Sequence, residues 1–276
     1  VTAARAILIT GASSGIGLAA VRTMKERGWR VIAAARKADD RERLVREVGV
    51  EAVALDLDDD ASVAACAENV LTLTAGRLDA LFNNAAFGQV GAVEDITAPV
   101  LRRQLQVNLV GTHDLTRRLL PAMRRQGHGR IVQCSSVLGY VAAPYRGAYC
   151  ASKYALEGLS DALRLELSGS GIAVSIIAPG PIRSRFLDNA LANFRTTVDP
   201  ATSVHRDGYA RRIAAIEAGG ATTFKLEPDA VAAKLVHAVE SSRPRPRYYV
   251  TTPAYLAMAA RRLLPTRLID QLTLRQ

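Results

Sequence analysis

Two hydrophobic periods alternate through the first 180 residues. Short apolar runs at Ala6–Thr10, Arg30–Ala34, Ala52–Leu57, Leu78–Asn83, Arg130–Ser135 and Ala173–Ala178 predict strands. Between them, apolar residues three and four apart predict helices over Gly15–Arg27, Asp39–Val48, Ala61–Thr74, Ala98–Gln126 and Tyr149–Leu167. Strands that are apolar throughout, rather than at every second position, are covered on both faces. The pattern therefore predicts an α/β fold: a doubly wound parallel sheet of about seven strands with helices on both faces. No linker rich in Pro, Gly or Ser interrupts it, so residues 1–276 are expected to form a single domain.

Beyond Pro179 the alternation lapses. Residues 183–225 are polar and loosely helical, too long for a plain connection, and predict a lid over a binding site. Glu227–Ser242 then reads as an amphipathic helix and Arg247–Thr251 as a seventh strand. The tail, 253–276, carries Tyr255, Leu256, Ala259, Leu263 and Leu264 at helical spacing until Pro265 stops the helix. Core packing, a subunit contact or a pocket cover is the expectation for this tail, with a membrane surface as the rival.

Composition narrows the classes. A chain of 276 residues, 49% hydrophobic and 22% charged, buries a core without disulfides or metal staples. Its longest stretch free of Asp, Glu, Lys and Arg is 16 residues, Leu167 to Ile182, too short and broken for a membrane span. The 36 basic against 26 acidic side chains give +10, but the basic groups are scattered, so a solvated arginine-rich surface is expected and no nucleic acid partner. Cys66, Cys134 and Cys150 form no C-x-x-C pair and the four histidines are far apart, so no metal is expected. With no basic and apolar leader at the start, the chain is expected in the cytoplasm.

Three clusters carry chemistry. ILITGASSGIGLAAV, residues 7–21, places Gly11, Gly15 and Gly17 between a buried strand and a helix. Glycine lets the backbone approach a ligand, and the helix N-terminus offers unpaired N–H groups to a pyrophosphate, so the turn points to a dinucleotide. The second strand ends in Arg36-Lys37 rather than a carboxylate, which suits a ribose 2′-phosphate and favours NADP(H) over NAD(H). Tyr149 and Lys153 are four apart, on one helix face. Acid/base work near neutrality requires lowering a phenol by about 3 units, roughly 4 kcal/mol. A cation roughly 4 Å away at an effective dielectric of about 20 supplies about 4 kcal/mol. Tight helix–strand packing, a solvated basic turn and a surface cation–aromatic pair are the bland alternatives to these three.

The order in which further motifs follow bears on that choice. TGASSGIG at 10–17, Asp56 after the third strand, NNAA at 83–86, Asn108, Ser136, Tyr149-Cys-Ala-Ser-Lys153 and PGPIRS at 179–184 together resemble the short-chain dehydrogenase/reductase family. The stretch from Asn108 to Gly139 is similar to the hydroxysteroid and retinol dehydrogenase-like branch, whose members act on carbonyl or secondary alcohol groups of apolar substrates. The resemblance implies a Rossmann-type fold. It also implies Tyr149 as general acid/base, Lys153 lowering its pKa and holding the nicotinamide ribose, Ser136 bonding the substrate oxygen, and Asn108 fixing a relay water. Gly11, Ser13, Ile16 and Gly17 would line the pyrophosphate and ribose, with Ser14 and Gly15 completing the turn. Asp56 and Leu57 would meet the adenine, Asn83 and Ala85 the adenosine side, and Pro179, Gly180, Ile182 and Ser184 the nicotinamide end.

Departures are small. Ala86 replaces the last glycine of N-N-A-G, Ser184 stands where Thr is common, and Ser14 replaces a basic residue found in some NADP-binding members. Phe186, Leu187, Phe194 and Tyr209 suit a lid over an apolar substrate, whereas Arg183, Arg185 or Arg195 would read an acidic one. The expected activity is therefore an NADP(H)-dependent oxidoreductase working as a homodimer or homotetramer. Its rivals are an inactive dinucleotide-binding regulator, an NAD-preferring dehydrogenase and a nucleotide-sugar epimerase or dehydratase.

Overall fold

The structure, a computed structural model, describes residues 4–218 and 224–274. Part of the expected lid, 219–223, and the last two residues of the tail lie outside the described residues. Seven strands form one parallel sheet: β1 Ala6–Thr10, β2 Arg30–Ala35, β3 Glu51–Ala54, β4 Ala80–Asn83, β5 Gly129–Cys134, β6 Ile172–Pro179 and β7 Arg247–Val250. Their order is β3-β2-β1-β4-β5-β6-β7, so the winding reverses between β1 and β4. At such a reversal the connections leave the strand ends in opposite directions and open a crevice at the carboxyl edge.

Successive strand residues face opposite helical layers, and both layers are apolar. Ile7, Ile9, Val31, Ala33, Phe82 and Ile177 pack with α1 (Gly15–Glu26) and α9 (Asp229–Glu240). Leu8, Ile32, Val53, Leu81, Ile131 and Val174 pack with α3 (Asp60–Leu73) and α5 (Gly111–Gln126). A third cluster joins Val90 and Ala92 to α7 (Phe186–Thr197) and α8 (Arg206–Glu217), the two helices inside the expected lid segment.

The elements depart from the sequence expectation where local polar bonds compete with periodicity. The helix expected over Ala98–Gln126 is α4 (Ala98–Leu105) and α5 joined by a π-helical turn at Gln106–Val110, with Asn108 buried inside it. Likewise α2 (Ala38–Arg43) runs into a π-helical turn, Leu44–Val48, that Gly49 ends at φ +68°. β3 stops before Asp56, whose N–H donates to the Ser62 hydroxyl at 2.9 Å instead of continuing a ladder. Pro265 ends α10 (Thr252–Leu263) as expected, yet its carbonyl accepts the first bonds of a further helix, α11 (Thr266–Leu274). The tail buries Ala254, Met258 and Ile269 and rests Tyr255 on Tyr249 at 5.5 Å. No helix among the described residues is long and apolar enough to cross a membrane.

Candidate active site

The glycine turn after β1 is a place where side chains do not fit. Gly11 and Gly15 have φ of +65° and +52°, and a Cβ on Gly17 would lie 2.0 Å from the Gly11 carbonyl oxygen. Thr10 and Asn84 fasten the turn to the end of β4. Thr10 Oγ1 accepts from the N–H groups of Asn84 and Ala85 at 3.0 and 2.9 Å, and Asn84 Nδ2 donates to the Thr10 carbonyl at 3.0 Å. Ser14 precedes α1 in extended conformation with no side-chain cap bond, so the first N–H groups of the helix, on Gly15, Ile16 and Gly17, have no intrahelical partner and are left for a ligand. Across the crevice, Ser184 Cβ lies 3.1 Å from where a Cβ on Gly15 would stand, and the Gly180 N–H is tied to the Val250 carbonyl at 3.0 Å. Segments 11–17 and 179–184 thus bracket one slot, with Ile182 packed against the core behind it. A cradle closed to any Cβ and lined by free N–H groups fits a dinucleotide pyrophosphate.

The adenosine side is more divided. Leu57 is buried with its carbonyl against Gly111, and Asp56 is half-buried, its carboxylate accepting from the Asp58 N–H at 3.1 Å. The Asn83 amide turns away from the crevice and donates to Thr116 on α5 at 2.8 Å, so it is Asn84 that borders the glycine turn. Arg36 and Lys37 are exposed after β2. Two arginines from α2 join them: Arg41 donates to the carbonyls of Ala35 and Arg36, and Arg43 donates to the Ser13 carbonyl at 2.7 Å while pairing with Asp40. Their signal in the sequence was the recurrence of Arg at 36, 41 and 43 around a one-and-a-half-turn helix.

The proton-transfer groups meet at the ends of β5 and α6 (Gly147–Glu166). Tyr149 lies in the first turn of α6, buried, and Ser136 stands just past β5, its hydroxyl accepting from the Leu138 N–H at 3.1 Å and close enough to the Tyr149 phenol to pull its pKa down. Lys153, one turn beyond Tyr149, is also buried. Its Nζ donates to the Cys134 carbonyl at 2.7 Å and sits 5.8 Å from the Tyr149 ring centre. Burial pushes the Tyr149 phenol above its ordinary range, against downward pulls from Ser136 and the Arg146 guanidinium. Burial likewise lowers Lys153, offset by Cys134 and Glu157. Tyr149 therefore rests as the neutral phenol, the form that can give a proton.

Asn108 does not face Lys153 with its side chain. Nδ2 donates to the Phe87 carbonyl at 2.9 Å and to Ser152 Oγ at 3.1 Å, and Oδ1 accepts from the Phe87 N–H at 3.1 Å. The π-helical turn thus aims this amide at the loop after β4, bracing it against α6. The expected acid-reading arginines are also reassigned. Arg183 pairs with Glu227 at 2.6 Å and Arg195 with Glu217 at 2.7 Å, and Arg185 is exposed. Phe186 and Arg146 stand beside Tyr149 instead. The Phe186 ring lies 5.4 Å from the Tyr149 ring and fills the space that any side chain at Gly88 would need.

The chain is similar to known proteins over most of its length. The short chain dehydrogenase family matches residues 5–193. The uncharacterized oxidoreductase YbbO of Escherichia coli is 46% identical over 97% of this chain and 93% of its own length. Human 17-beta-hydroxysteroid dehydrogenase type 1 is 34% identical over 93% of this chain and 80% of its own. Among solved structures, a short-chain dehydrogenase/reductase from Burkholderia phymatum in complex with NAD superposes with a TM-score of 0.78 at 27% identity, covering 94% of this chain and 92% of that one. An actinorhodin polyketide ketoreductase with NADPH gives 0.74 at 27%, covering 92% and 97%. The chain belongs to the short-chain dehydrogenase/reductase family, in its hydroxysteroid and retinol dehydrogenase-like branch. It is an oxidoreductase of that family, one that binds a nicotinamide dinucleotide and acts on a small molecule.

Proposed function

We propose that the chain is an NADP(H)-dependent oxidoreductase interconverting a carbonyl and a secondary alcohol, with Tyr149 as the general acid and base. The observation that carries this reading is the convergence of Ser136, Tyr149 and Lys153 at the carboxyl edge of the sheet, the edge that also carries the glycine turn. The bound nicotinamide supplies or takes the hydride at the substrate carbon. In reduction, Tyr149 gives its phenolic proton to the substrate oxygen as negative charge develops there, and Ser136 donates a hydrogen bond to the same oxygen. In oxidation, Tyr149 takes that proton back. Lys153 keeps a positive charge beside the phenolate and holds the nicotinamide ribose, and Asn108 fixes the loop and the water through which protons return. Gly11, Ser13 to Gly17, Asp56 and Leu57, Asn83 and Ala85, and the segment from Pro179 to Ser184 hold the cofactor.

The preference for NADP(H) rests on Arg36 and Lys37, with no carboxylate at the strand end and Arg41 and Arg43 adding to the positive field. Residues 183–225 act as the lid, with Phe186 closing on Tyr149. The protein works in the cytoplasm as one domain per chain, in a homodimer or homotetramer built on the helices around Asn108 and Tyr149, where Leu101, Val110, Tyr154 and Leu159 are exposed.

Purified protein assayed with aromatic and aliphatic aldehydes, ketones and alcohols tests both halves. Tyr149→Phe is expected to lower turnover by about 10² to 10⁴ while still binding cofactor. Arg36→Ala is expected to weaken NADPH far more than NADH. Wild-type turnover by Tyr149→Phe overturns the mechanism, and equal losses for the two cofactors overturn the preference.

A further inference from the structure

Arg146 is a cation in an unusual position. It is 5% exposed, no side-chain hydrogen bond or ion pair holds its guanidinium among the described residues, and none of its nitrogens is fully sealed from solvent. Buried guanidinium groups are normally paired, because a charge removed from water must recover its solvation from somewhere. Burial pushes its pKa down to about 10, and a second arginine, Arg212 on α8, adds its repulsion. Arg212 is half-buried and also has no ion pair or hydrogen bond among the described residues.

This pair is built into the fold. Tyr145, just before Arg146, holds φ +62°, a backbone conformation that costs a non-glycine residue, and its carbonyl accepts from the Gly91 N–H at 3.0 Å. The Tyr145 ring packs on Tyr209 of α8 at 5.3 Å, and its hydroxyl occupies the space a side chain at Gly208 would need. Three residues on from Tyr209 along α8 is Arg212, and three on from Arg146 along α6 is Tyr149. The contact of Tyr145 with Tyr209 thus sets Arg212 one helical turn from a ring adjoining Arg146, near enough for the two charges to repel, while Arg146 itself acts on the Tyr149 phenol. Arg146 bridges to Gly91 in the loop after β4, and Arg212 stands on α8, one of the lid helices.

We propose that Arg146 and Arg212 bind an anionic group, carboxylate or phosphate, on the substrate, so that the enzyme acts on carbonyl or alcohol compounds carrying an acidic group. An anion between the two guanidinium groups would supply the missing partner for the buried one and cancel the repulsion between them. The inference rests on the oxidoreductase reading for its substrate chemistry. It replaces a wholly apolar substrate with an amphipathic one, whose apolar body meets Phe186 and Leu187.

The test compares reduction of 4-carboxybenzaldehyde and 4-formylphenyl phosphate with that of benzaldehyde and methyl 4-formylbenzoate, each with NADPH. The readout is the ratio of kcat/KM, anionic over neutral. An effect of Arg146 on Tyr149 lowers all four substrates together and leaves the ratio unchanged, whereas loss of an anion site moves the ratio alone. The wild-type ratio is expected to be at least tenfold for one of the two anions, which also separates carboxylate from phosphate. It should fall toward one in Arg146→Gln and Arg212→Gln and be largely kept in Arg146→Lys. A wild-type ratio near one for both anions, or a ratio unchanged in the variants, overturns the proposal. Should no aldehyde be reduced, the oxidoreductase reading fails by itself, and calorimetric titration of terephthalate and of phenyl phosphate decides the anion site. At least tenfold weaker binding by Arg146→Gln or Arg212→Gln supports the site, and no binding, or equal binding, overturns it. Should Arg146→Gln fail to fold, Arg212→Gln and Arg146→Lys carry the comparison.

Discussion

Single residues define the candidate site where no substitute fits, and those were the residues legible in the sequence. Gly17 sits where a Cβ would collide with the Gly11 carbonyl at 2.0 Å. Gly158, exposed on α6, has nothing within 4 Å of such a Cβ. Gly17→Ala is therefore expected to displace the turn and weaken NADPH binding at least tenfold in a fluorescence titration. Gly158→Ala should leave binding alone and raise stability by about 0.5–1 kcal/mol through the helix propensity of alanine. Equal NADPH affinity of Gly17→Ala and wild type would remove the cradle from the account. What the sequence hid at this scale was direction. Asn83 and Asn84 are identical neighbours, and only the handing of alternate residues to opposite faces sends one to Thr116 and the other to the glycine turn. The isolation of Arg146 was equally hidden, because a missing partner is a fact of three dimensions.

Elements were legible wherever periodicity ran unopposed, which covers all seven strands and the helices against the sheet. Periodicity could not foresee the π-helical turn at Asn108, since one extra residue per turn leaves the apolar spacing on either side intact. Nor could it resolve the lid segment into α7 and α8, because polar side chains anchor the second of these. Tyr209, nearly wholly buried, donates to the Asp95 carboxylate, accepts from the Ala92 N–H at 2.7 Å, and shares Asp95 with Ser203 at 2.6 Å. Ser203 and then Tyr209 hold Asp95 below the usual carboxylate range. The native state thus favours the ionised carboxylate, so the latch is fully present above the unfolded pKa of about 4 and is lost as pH falls through the lower folded value. Tyr209→Phe leaves the Ala92 N–H unpaired at a cost of about 1–3 kcal/mol, which is roughly fivefold to a hundredfold in local opening. Hydrogen exchange at neutral pH should show α8 opening faster in this variant with the amides of β1 and β4 unchanged. Equal protection of α8 in the two proteins would rule the latch out.

At the scale of the whole molecule, the charge excess resolves into separate tasks. Many arginines pair on the surface, as Arg30 does with Glu51 and Arg103 with Asp58, where such pairs contribute little. Arg247 is different, because it joins parts of the chain that are remote in sequence. From β7 it reaches Glu157 at 3.2 Å and Asp161 on α6, and donates to Tyr140, which follows the turn beginning at Ser136. The Tyr140 hydroxyl also donates to Glu157 at 2.6 Å, and Glu157 contributes to the charge that steadies Lys153. Edge strand, long helix and proton-transfer site are thereby held by one guanidinium. Removing it strands a carboxylate whose side chain is 8% exposed, and breaking a buried pair in this way costs about 3–5 kcal/mol. Burial already raises Glu157 above its ordinary pKa, and Arg247 is among the groups pulling it back. Without Arg247 that pKa rises further, so the added penalty is absent below the unfolded value of about 4.5 and grows as pH rises through the folded one. Arg247→Ala should accordingly be less stable than wild type by about 3 kcal/mol or more at pH 8 in urea denaturation, with the difference shrinking steadily toward pH 5. Arg247→Ala,Glu157→Gln, which removes the stranded charge along with its partner, should recover most of the loss at pH 8 and show no such pH dependence. A deficit in Arg247→Ala that is the same at both pH values, or one that Glu157→Gln does not relieve, would place Arg247 with the surface arginines instead.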